Sequence, residues 1–337
     1  MKQLFAGVFM LEGEVGGRPL QLMYLRGDSA SILLDTGCTN DPEAFIIPQM
    51  REAGGDPDDL TWIIITHSDL DHTGGNYQMK LHAPQAILAC GDADRAACMG
   101  PEEIIRLRYD AYRLDHQIFY DDDTTQWIHN NSGQFQPIEA TFVGGERIML
   151  SSDWIVEVVA LPGHSHGHLG ILDRKNKALY AGDAVHGRVY HGFDGTEKLP
   201  PTYLHVDEYL ATIRFIEHLP ISTFVGCHWP VKRGTEIAEF CAESRRFVEQ
   251  VDILLRAYLQ EIHSLREACL ALGPQLGDWP HGDLDLELVF ALNGHVERLV
   301  NRGVVEANVQ QEEPRILSFV MKSHTNQDAG ASDGGAG

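Results

Sequence analysis

Basic residues are scarce in this sequence. Lysine and arginine together number 26, whereas aspartate and glutamate number 49, so the 337-residue chain has a formal net charge of −23 at pH 7. A surface that binds nucleic acid or anionic lipid needs clustered positive charge to meet the phosphate groups. The scarcity therefore argues against a nucleic-acid partner and against a membrane-surface partner.

Long apolar runs and paired cysteine motifs are also missing. No stretch of about 20 apolar residues occurs, so no transmembrane helix is predicted. Residues 1–11 have no small-residue cleavage site, and we expect a first strand there rather than a signal peptide. No two cysteines have Cys-x-x-Cys spacing, which favours small core residues in a reducing cytoplasm over a zinc ribbon. The cysteines are Cys38, Cys90, Cys98, Cys227, Cys241 and Cys269.

The order of apolar runs predicts an α/β fold. Hydrophobic residues make up 43% of the chain, which is enough for a sizeable core. Short β-rich runs end at Asp, Gly or His, as expected of strands buried in a sheet that is covered on both faces. These runs are residues 31–35, 61–66, 155–161, 178–181 and 222–225. Helical patterns lie between some of them, at residues 42–53 and 206–218.

The chain divides into three predicted parts. Residues 1–235 are expected to form a catalytic domain. Within it, residues 109–140, rich in aromatic and polar side chains, are either an insertion that lies over the site or an ordinary surface excursion. Residues 236–322 show helical patterns at 236–262, 264–272 and 284–302, then strands at 304–309 and 315–320, which resembles a winged-helix module. Its last helix is not notably basic, so we expect packing or a homodimer contact there rather than DNA binding. Residues 323–337 are expected to be disordered.

The strongest local signal follows the second of those strands. His67, Asp69, Asp71 and His72 lie within six residues, and Gly74 and Gly75 follow them. All four side chains bind metals, and alternate residues of a tight loop point in different directions. The pattern predicts a centre for two adjacent metal ions.

Further landmarks give the chain a family resemblance. They are Asp35 in Leu-Asp-Thr-Gly, His164 in Pro-Gly-His, Asp183 in Gly-Asp, and His228 after a late strand. With the loop, this ordered set resembles the metallo-β-lactamase superfamily, whose usual loop is His-x-His-x-Asp-His. The resemblance implies a four-layer αββα sandwich over about residues 5–230. By position it implies that His67, Asp69 and His164 hold one metal, that Asp71, His72 and His228 hold the other, and that Asp183 bridges them.

The sequence departs from the family pattern at Asp69, where the usual residue is histidine. Four histidines and three carboxylates then face two divalent ions, so the ligand charge of −3 and a bridging hydroxide balance the +4 of the metals. Such a site is harder and more oxygen-rich, which moves its preference from zinc toward iron or manganese. We expect two divalent ions, with zinc as the first choice and iron or manganese as alternatives.

Other polar side chains lie near the implied ligands. The resemblance places Asp35 beside the ligands, where it orients one of them. His166 and His168 flank His164, and His186, Tyr190 and His191 follow Asp183. Each is a candidate for supporting a ligand or contacting the substrate.

The resemblance implies an enzyme but leaves its chemistry open. The first hypothesis is a dinuclear hydrolase that cleaves an ester, thioester or lactone of a small or medium-sized organic molecule. In it a metal-bridging hydroxide attacks the carbonyl, with Asp71 and Asp183 as the catalytic carboxylates. The second, suggested by Asp69, is a nonheme diiron monooxygenase of a biosynthetic pathway. The third is a regulator without catalytic activity, which binds nucleic acid or a protein partner through its C-terminal end.

Overall fold

Two β-sheets face each other across an apolar interior. The computed structural model describes residues 1–312 and 315–322, and the predicted tail at 323–337 lies outside them. Alternate residues of one strand serve opposite faces: Val8 and Met10 point between the sheets, whereas Phe9 and Leu11 point toward the outer helices. Val156, Val158 and Ile171 meet the inner face from the second sheet.

The first sheet has seven strands in sequence order. Its first four strands are antiparallel neighbours, and its last four run parallel. They are β1 (Lys2–Phe5), β2 (Val8–Val15), β3 (Arg18–Arg26), β4 (Ser31–Leu34), β5 (Trp62–Ile65), β6 (Ile87–Gly91) and β7 (Ala140–Phe142). The single strand expected in residues 1–11 is interrupted at Gly7, whose φ of +73° makes the turn between β1 and β2.

The second sheet has six strands in the order β15-β14-β11-β10-β9-β8, and β12 pairs with β13 beside it. Within the sheet, β11 and β14 run parallel. The strands are β8 (Arg147–Ser151), β9 (Trp154–Ala160), β10 (Leu169–Asp173), β11 (Ala178–Tyr180), β12 (Tyr190–His191), β13 (Glu197–Leu199), β14 (Thr223–Val225) and β15 (Lys232–Arg233).

Helices cover the outer face of each sheet, which completes the predicted αββα order. Those nearest the first sheet and the metal loop are short: α1 (Ile47–Glu52), α2 (Leu70–Thr73), α3 (Asn76–His82), α4 (Arg95–Cys98), α5 (Pro101–Ile104), α6 (Arg113–His116) and α7 (Asp122–Asn131). Wide helical turns at Pro42–Ile46 and Ile105–Tyr109 extend this layer. The second sheet is covered by α8 (Val206–His218) and α9 (Thr235–Tyr258).

The C-terminal elements alternate helices with a small sheet. After α9 come β16 (His263–Ser264), α10 (Leu265–Leu276), α11 (Val289–Asn301), β17 (Val305–Glu312) and β18 (Arg315–Met321), with sheet order β16-β18-β17. Their apolar side chains join those of α8 and the second sheet in one cluster. The domain boundary at 235/236 and the homodimer stay predictions.

Three predicted helix ends differ from the structure. The helix expected to reach residue 262 ends at Tyr258, because residues 263–264 pair with β18 instead. The helix expected to end at 272 continues through Pro274 to Leu276. The helix expected from residue 284 begins as the tight turn Asp283–Leu288, where the Asp285 carboxylate accepts hydrogen bonds from Gly282 N and Trp279 Nε1. No helix among residues 1–312 and 315–322 is long and apolar enough to cross a membrane.

Candidate metal centre

The predicted site residues follow strands that end at one edge of the two sheets. Asp35 follows β4, His67 follows β5, Asp183 follows β11 and His228 follows β14. Because β4 and β5 are parallel, as are β11 and β14, the carboxyl ends of each pair lie side by side. The fold therefore gathers side chains that are up to about 200 residues apart in sequence.

The loop after β5 presents its side chains in two directions. Residues 66–69 are not helical, whereas α2 begins at Leu70 with Asp69 as its N-terminal flanking residue. His72 N and Thr73 N donate to Asp69 O and fix this turn. Asp71 and His72 consequently lie on a helical turn, and His67 and Asp69 precede it.

The first group is formed by His67, Asp69 and His164, one ligand atom of each lying within 4.8 Å of the others. Asp69 Oδ2 lies 3.2 Å from His164 Nε2 and 3.8 Å from His67 Nε2. All three side chains have 15% exposure or less. This is the set that the family resemblance assigned to one metal.

The second group contains Asp71, His72 and His228. Asp71 Oδ2 lies 3.2 Å from His228 Nε2 and 3.9 Å from His72 Nε2. Asp183 touches both groups: its Oδ2 is 3.4 Å from His228 Nε2, and one of its oxygens is within 4.8 Å of a ring nitrogen of His164. The predicted bridging residue is thus the carboxylate that the two groups share.

Each of the four histidines is held by its Nδ1 atom. His72 Nδ1 donates to Asp35 Oδ2 over 2.8 Å, and His228 Nδ1 donates to Pro19 O over 2.7 Å. His67 Nδ1 is 3.1 Å from Thr66 Oγ1, and His164 Nδ1 is 3.1 Å from His186 Nε2. Every Nε2 then faces the centre, which is the arrangement that supports metal-binding imidazoles.

The residues present fit a pair of metal ions. His67 Nε2, His72 Nε2 and Asp183 Oδ1 are buried and have no hydrogen-bond partner among the described residues. Buried polar atoms are normally paired, and exceptions in a native structure call for an ion or other ligand. Imidazole nitrogens and carboxylate oxygens are ligands that zinc accepts.

The charges of the second group are coupled. Burial alone would lower the pKa values of His72 and His228, but the carboxylates of Asp35 and Asp183 raise them well above the usual range. Burial would likewise raise the pKa of Asp71, yet His72 and His228 lower it. Without a metal ion the two imidazoles therefore carry protons, which they must release when their Nε2 atoms bind a metal ion.

Asp35 holds the metal loop in place through hydrogen bonds to Thr66 and His72. Its carboxylate accepts hydrogen bonds from Thr66 N at 2.7 Å and Thr66 Oγ1 at 2.8 Å, in addition to the one from His72. Its φ is +65°, a left-handed conformation that is strained for a residue with a Cβ atom. Three hydrogen bonds hold it there, so Asp35 contacts a candidate ligand without facing the centre.

The turn that carries His164 is anchored by buried Asp94. Ser165 Oγ donates to Asp94 Oδ2, and Gly167 N donates to Asp94 Oδ1 over 2.8 Å. Residues 163–167 read Gly-His-Ser-His-Gly, a spacing that elsewhere marks a serine nucleophile. Here the hydroxyl is committed to Asp94, so Ser165 fixes the turn.

Three of the remaining predicted side chains reach the centre and two do not. His168 stacks on His67, with ring planes 14° apart; His186 contacts His164; and the Tyr190 hydroxyl donates to Asp183 Oδ2 over 3.0 Å. His166 lies away from the centre: its side chain is 57% exposed and pairs with Glu208. His191 is exposed on β12 and lines a cavity that also contacts His186 and His228. A substrate contact by His166 or His191 stays a prediction.

Arg108 was not predicted and lies inside the centre. Its Nε forms an ion pair with Asp69 Oδ1, and its Nη2 is 3.4 Å from His164 Nε2. The contact to Asp69 is an ion pair rather than an aligned hydrogen bond. Although burial would raise the pKa of Asp69, the Arg108 guanidinium lowers it. In the sequence, Arg108 stands in an ordinary Ile-Arg-Leu-Arg helical run, and only the extra charge of Asp69 hinted at such a partner.

A cavity of about 260 Å³ opens beside the centre. Asp69, Asp71, Asp183 and His228 form its inner end, and Arg18 and Arg108 supply positive charge. Its outer walls come from residues 109–128 and from the C-terminal residues 284–290. Part of the segment 109–140 thus lines the cavity, whereas an insertion with these bounds stays a prediction.

Comparison with known proteins decides the family. The model of the metallo-beta-lactamase superfamily matches residues 16–228, well over half of the chain. The chain belongs to the metallo-beta-lactamase superfamily. The family and the fold class predicted from the sequence are therefore confirmed.

Relatives of this superfamily member include enzymes with named activities. It is 26% identical over 234 residues to human acyl-coenzyme A thioesterase MBLAC2, covering 64% of this chain and 75% of that protein. It is 25% identical over 213 residues to a hydroxyacylglutathione hydrolase of Rhodospirillum rubrum, covering 62% of this chain and 61% of that protein. A metal-dependent hydrolase is thus supported, whereas the substrate and the metal are not fixed by these matches.

Solved structures share the fold over nearly the whole superfamily member. A metallo-beta-lactamase family protein from Thermus thermophilus superposes with a TM-score of 0.72 at 17% identity and covers 95% of this chain and all of its own. A beta-lactamase domain protein from Burkholderia ambifaria gives a TM-score of 0.70 at 14% identity, and the match covers 95% of this chain and 93% of that protein. The likeness therefore extends into the C-terminal helical region.

Proposed function

We propose that this chain is a two-metal hydrolase that cleaves the acyl bond of a thioester, with esters and lactones as related substrates. The observation that supports it most is the position of Asp183 between the two groups of candidate ligands. A carboxylate shared in this way suits two ions that act together on one carbonyl group. The named thioesterase and hydroxyacylglutathione hydrolase among the relatives support the choice of acyl substrate.

The proposed ligands are His67, Asp69 and His164 for one ion and Asp71, His72 and His228 for the other, with Asp183 common to both. Imidazole nitrogens and carboxylate oxygens are ligands that zinc accepts, and two zinc ions per chain are proposed. When bound, such ions supply Lewis acidity that activates water and polarises the substrate carbonyl.

The chain's own side chains would serve the reaction around that centre. Asp71 lies in the cavity wall and is proposed to take the proton of the attacking water and return it to the departing thiol or alcohol. Tyr190 holds Asp183 Oδ2 in place through its hydroxyl. Arg108 and Arg18 face the cavity as cations, where negative charge develops on the carbonyl oxygen.

The pairing of Arg108 with Asp69 favours hydrolysis over the oxygenase alternative. Asp69, Asp71 and Asp183 contribute −3, and Arg108 returns +1, so the four groups carry −2 in total. That is the charge the family's usual site would have with histidine in place of Asp69. The extra carboxylate thus does not make the centre electrically neutral, which had been the reason to consider diiron chemistry.

Metal analysis combined with a substrate panel tests the proposal. The full chain, purified as expressed, is expected to hold two zinc ions and to hydrolyse acyl thioesters equally well with and without dioxygen. Asp183→Asn should lose at least one ion and about a thousandfold in kcat/KM, since it removes a shared ligand. Asp153→Asn is the matched control, because Asp153 is 72% exposed and pairs only with Lys175. Two irons with dioxygen-dependent turnover would contradict the proposal.

A further inference from the structure

A second cavity adjoins the one at the metal centre. It also has a volume of about 260 Å³, and the two share six lining residues: Tyr109, Tyr120, Thr124, Leu284, Glu287 and Phe290. Each cavity alone is smaller than the usual ligand site of about 300–1,000 Å³, whereas the two adjoining cavities together reach that range. The six shared residues show that the two cavities lie side by side.

We infer that this second cavity binds the acyl group of the substrate, and that the group is a medium- or long-chain apolar one. The inference rests on the proposed function, because it assumes that the carbonyl carbon lies at the metal centre. It assigns to the chain a substrate class, the thioesters of fatty acids.

Two contacts join the wall of the second cavity to the candidate ligands. The Arg108 guanidinium, which pairs with Asp69, lies 4.6 Å from the centroid of the Phe290 ring. Tyr109 receives a hydrogen bond from Leu70 N at 3.1 Å, so the same wall is tied to the metal loop. Tyr112 packs edge-on against Phe290 at 5.7 Å and continues the aromatic wall outward. A chain attached to a carbonyl at the centre therefore meets aromatic surface at once.

The lining is suited to hydrocarbon. Side chains found only in the second cavity include Ile118, Leu286 and Val289, all less than 9% exposed. Three of its charged lining residues have contacts elsewhere: Asp121 and Asp283 are exposed to water, and Arg266 donates to Gln117 O. Apolar contact along such a wall is favourable in proportion to the area removed from water.

Glu287 is the one acidic residue among the six shared residues. Burial raises the pKa of its carboxyl group, and Tyr120 lies beside it. A carboxyl group in this environment favours its neutral form and does not demand a cation from the ligand. It is therefore compatible with an apolar acyl chain running past it.

The departing thiol fits the first cavity better. Arg18 lines that cavity and not the second, and its Nε is buried without a hydrogen-bond partner among the described residues. Gly16 and Trp127 are exposed there, so this side opens to water. A polar or anionic thiol has a cation and solvent on that path, whereas the second cavity offers it aromatic rings.

A series of thioesters tests the inference. We compare acetyl, butanoyl, octanoyl and dodecanoyl thioesters of N-acetylcysteamine, a small neutral thiol, on the full metal-loaded chain. kcat/KM is expected to rise roughly fourfold for each methylene buried, until the cavity is full. Binding of dodecanoate, the product, is measured separately by calorimetry and needs no turnover.

Two variants narrow the cavity, and a third outside it serves as the control. Val289→Phe and Ile118→Phe should each lower kcat/KM for the dodecanoyl thioester by about tenfold or more, and should leave the acetyl thioester within about twofold. Val143→Phe is the matched control and should change neither rate, because Val143 is 73% exposed and lines neither cavity. Thermal unfolding of each variant checks that the fold is retained. Because the cavity is narrowed at two positions, the test still works if one of the two variants fails to fold.

The outcomes separate the two proposals. The acyl-cavity inference is overturned if the acetyl thioester is cleaved but kcat/KM does not rise along the series. It is also overturned if the two Phe variants lose activity equally toward the acetyl and dodecanoyl thioesters. In both cases the proposed hydrolase function stands. If no thioester is cleaved, but dodecanoate binds and Val289→Phe abolishes that binding, the proposed function is overturned. The assignment of the second cavity to an apolar acyl chain then stands. Failure of dodecanoate to bind, together with a flat series, overturns the inference.

Discussion

Arg108 pairs with one oxygen of the Asp69 carboxylate, while the other oxygen of that carboxylate faces His67 and His164. Asp69 therefore divides its charge between a guanidinium and the first group of candidate ligands. An ion pair this deeply buried is costly to break, since the remaining charge has no solvent to compensate it. Arg108 is consequently the residue through which the helical segment before α6 influences the metal centre.

Replacing Arg108 by Met should separate its effect on stability from its effect on rate. The metal-free variant is expected to lose about 3–5 kcal/mol of unfolding free energy, because Asp69 is left unpaired. Zinc should restore much of that loss and should be released to a chelator more slowly, while kcat/KM falls. Arg106→Met, at an exposed neighbour paired with Glu103, should change none of these measurements appreciably.

Asp35→Asn tests the support beneath His72. Asparagine tolerates the left-handed backbone at this position, so the fold should be kept, but the charge that orients His72 is removed. Zinc affinity is expected to fall by about 10- to 100-fold, as measured by competition with a chromophoric chelator. Asp35→Ala should in addition lower the melting temperature; equal zinc affinity in wild type and Asp35→Asn would contradict the assigned role.

Tyr190→Phe removes one hydroxyl from the centre. That hydroxyl donates to Asp183 Oδ2 and lies 3.1 Å from Thr202 Oγ1, while the ring packs at 4.7 Å from Trp229. A hydrogen bond to a charged group contributes about 1.5–3 kcal/mol, so kcat should fall by roughly 10- to 100-fold with little change in melting temperature. A change in KM alone would show that Tyr190 acts on the substrate rather than on Asp183.

His116 should make the fold sensitive to acid. Burial lowers the pKa of His116 to about 4, despite an opposing contribution from Asp115. In the unfolded chain this histidine has a pKa of about 6.5. Between pH 6.5 and pH 4 the unfolded chain therefore binds the proton more readily than the folded protein, and the free energy of unfolding falls as the pH drops. The loss assigned to this residue is about 3 kcal/mol at pH 4.

Urea unfolding of wild type and His116→Leu, compared at each pH, isolates that contribution. Effects common to both proteins cancel in the difference, and the variant should lose less stability on acidification. Parallel curves between pH 7 and pH 4 would show that His116 is protonated in the folded state as easily as in the unfolded chain.

The fold and the candidate metal ligands were predicted from the sequence for a physical reason. Buried strands need continuous apolar side chains, and a site at their ends needs Asp and His directly after them, as at Ile65-Thr66-His67. Both signals are local. The spacing of His67, Asp69, Asp71 and His72 then identified the family before any geometry was known.

The site residues that the sequence did not predict are placed by tertiary packing. Arg108 lies in a helical run that reads as solvent-facing, and only packing against Phe290 turns it inward. His166 and His168 are equivalent in the sequence, and the conformation of one turn sends the first outward and the second onto His67. Phe290 and Glu287 belong to a segment whose approach to the site no local pattern marks.

The walls of the proposed acyl cavity come from two separate parts of the sequence, and only one of them also holds the proposed metal ligands. All seven proposed ligands lie between residues 67 and 228, while Leu284, Glu287 and Phe290 belong to the region beyond the matched family segment. The C-terminal wall of the proposed cavity can therefore vary without any change in the proposed ligands. Substitutions at residues 284–290 should alter the preference for one acyl chain over another while every proposed metal ligand stays in place.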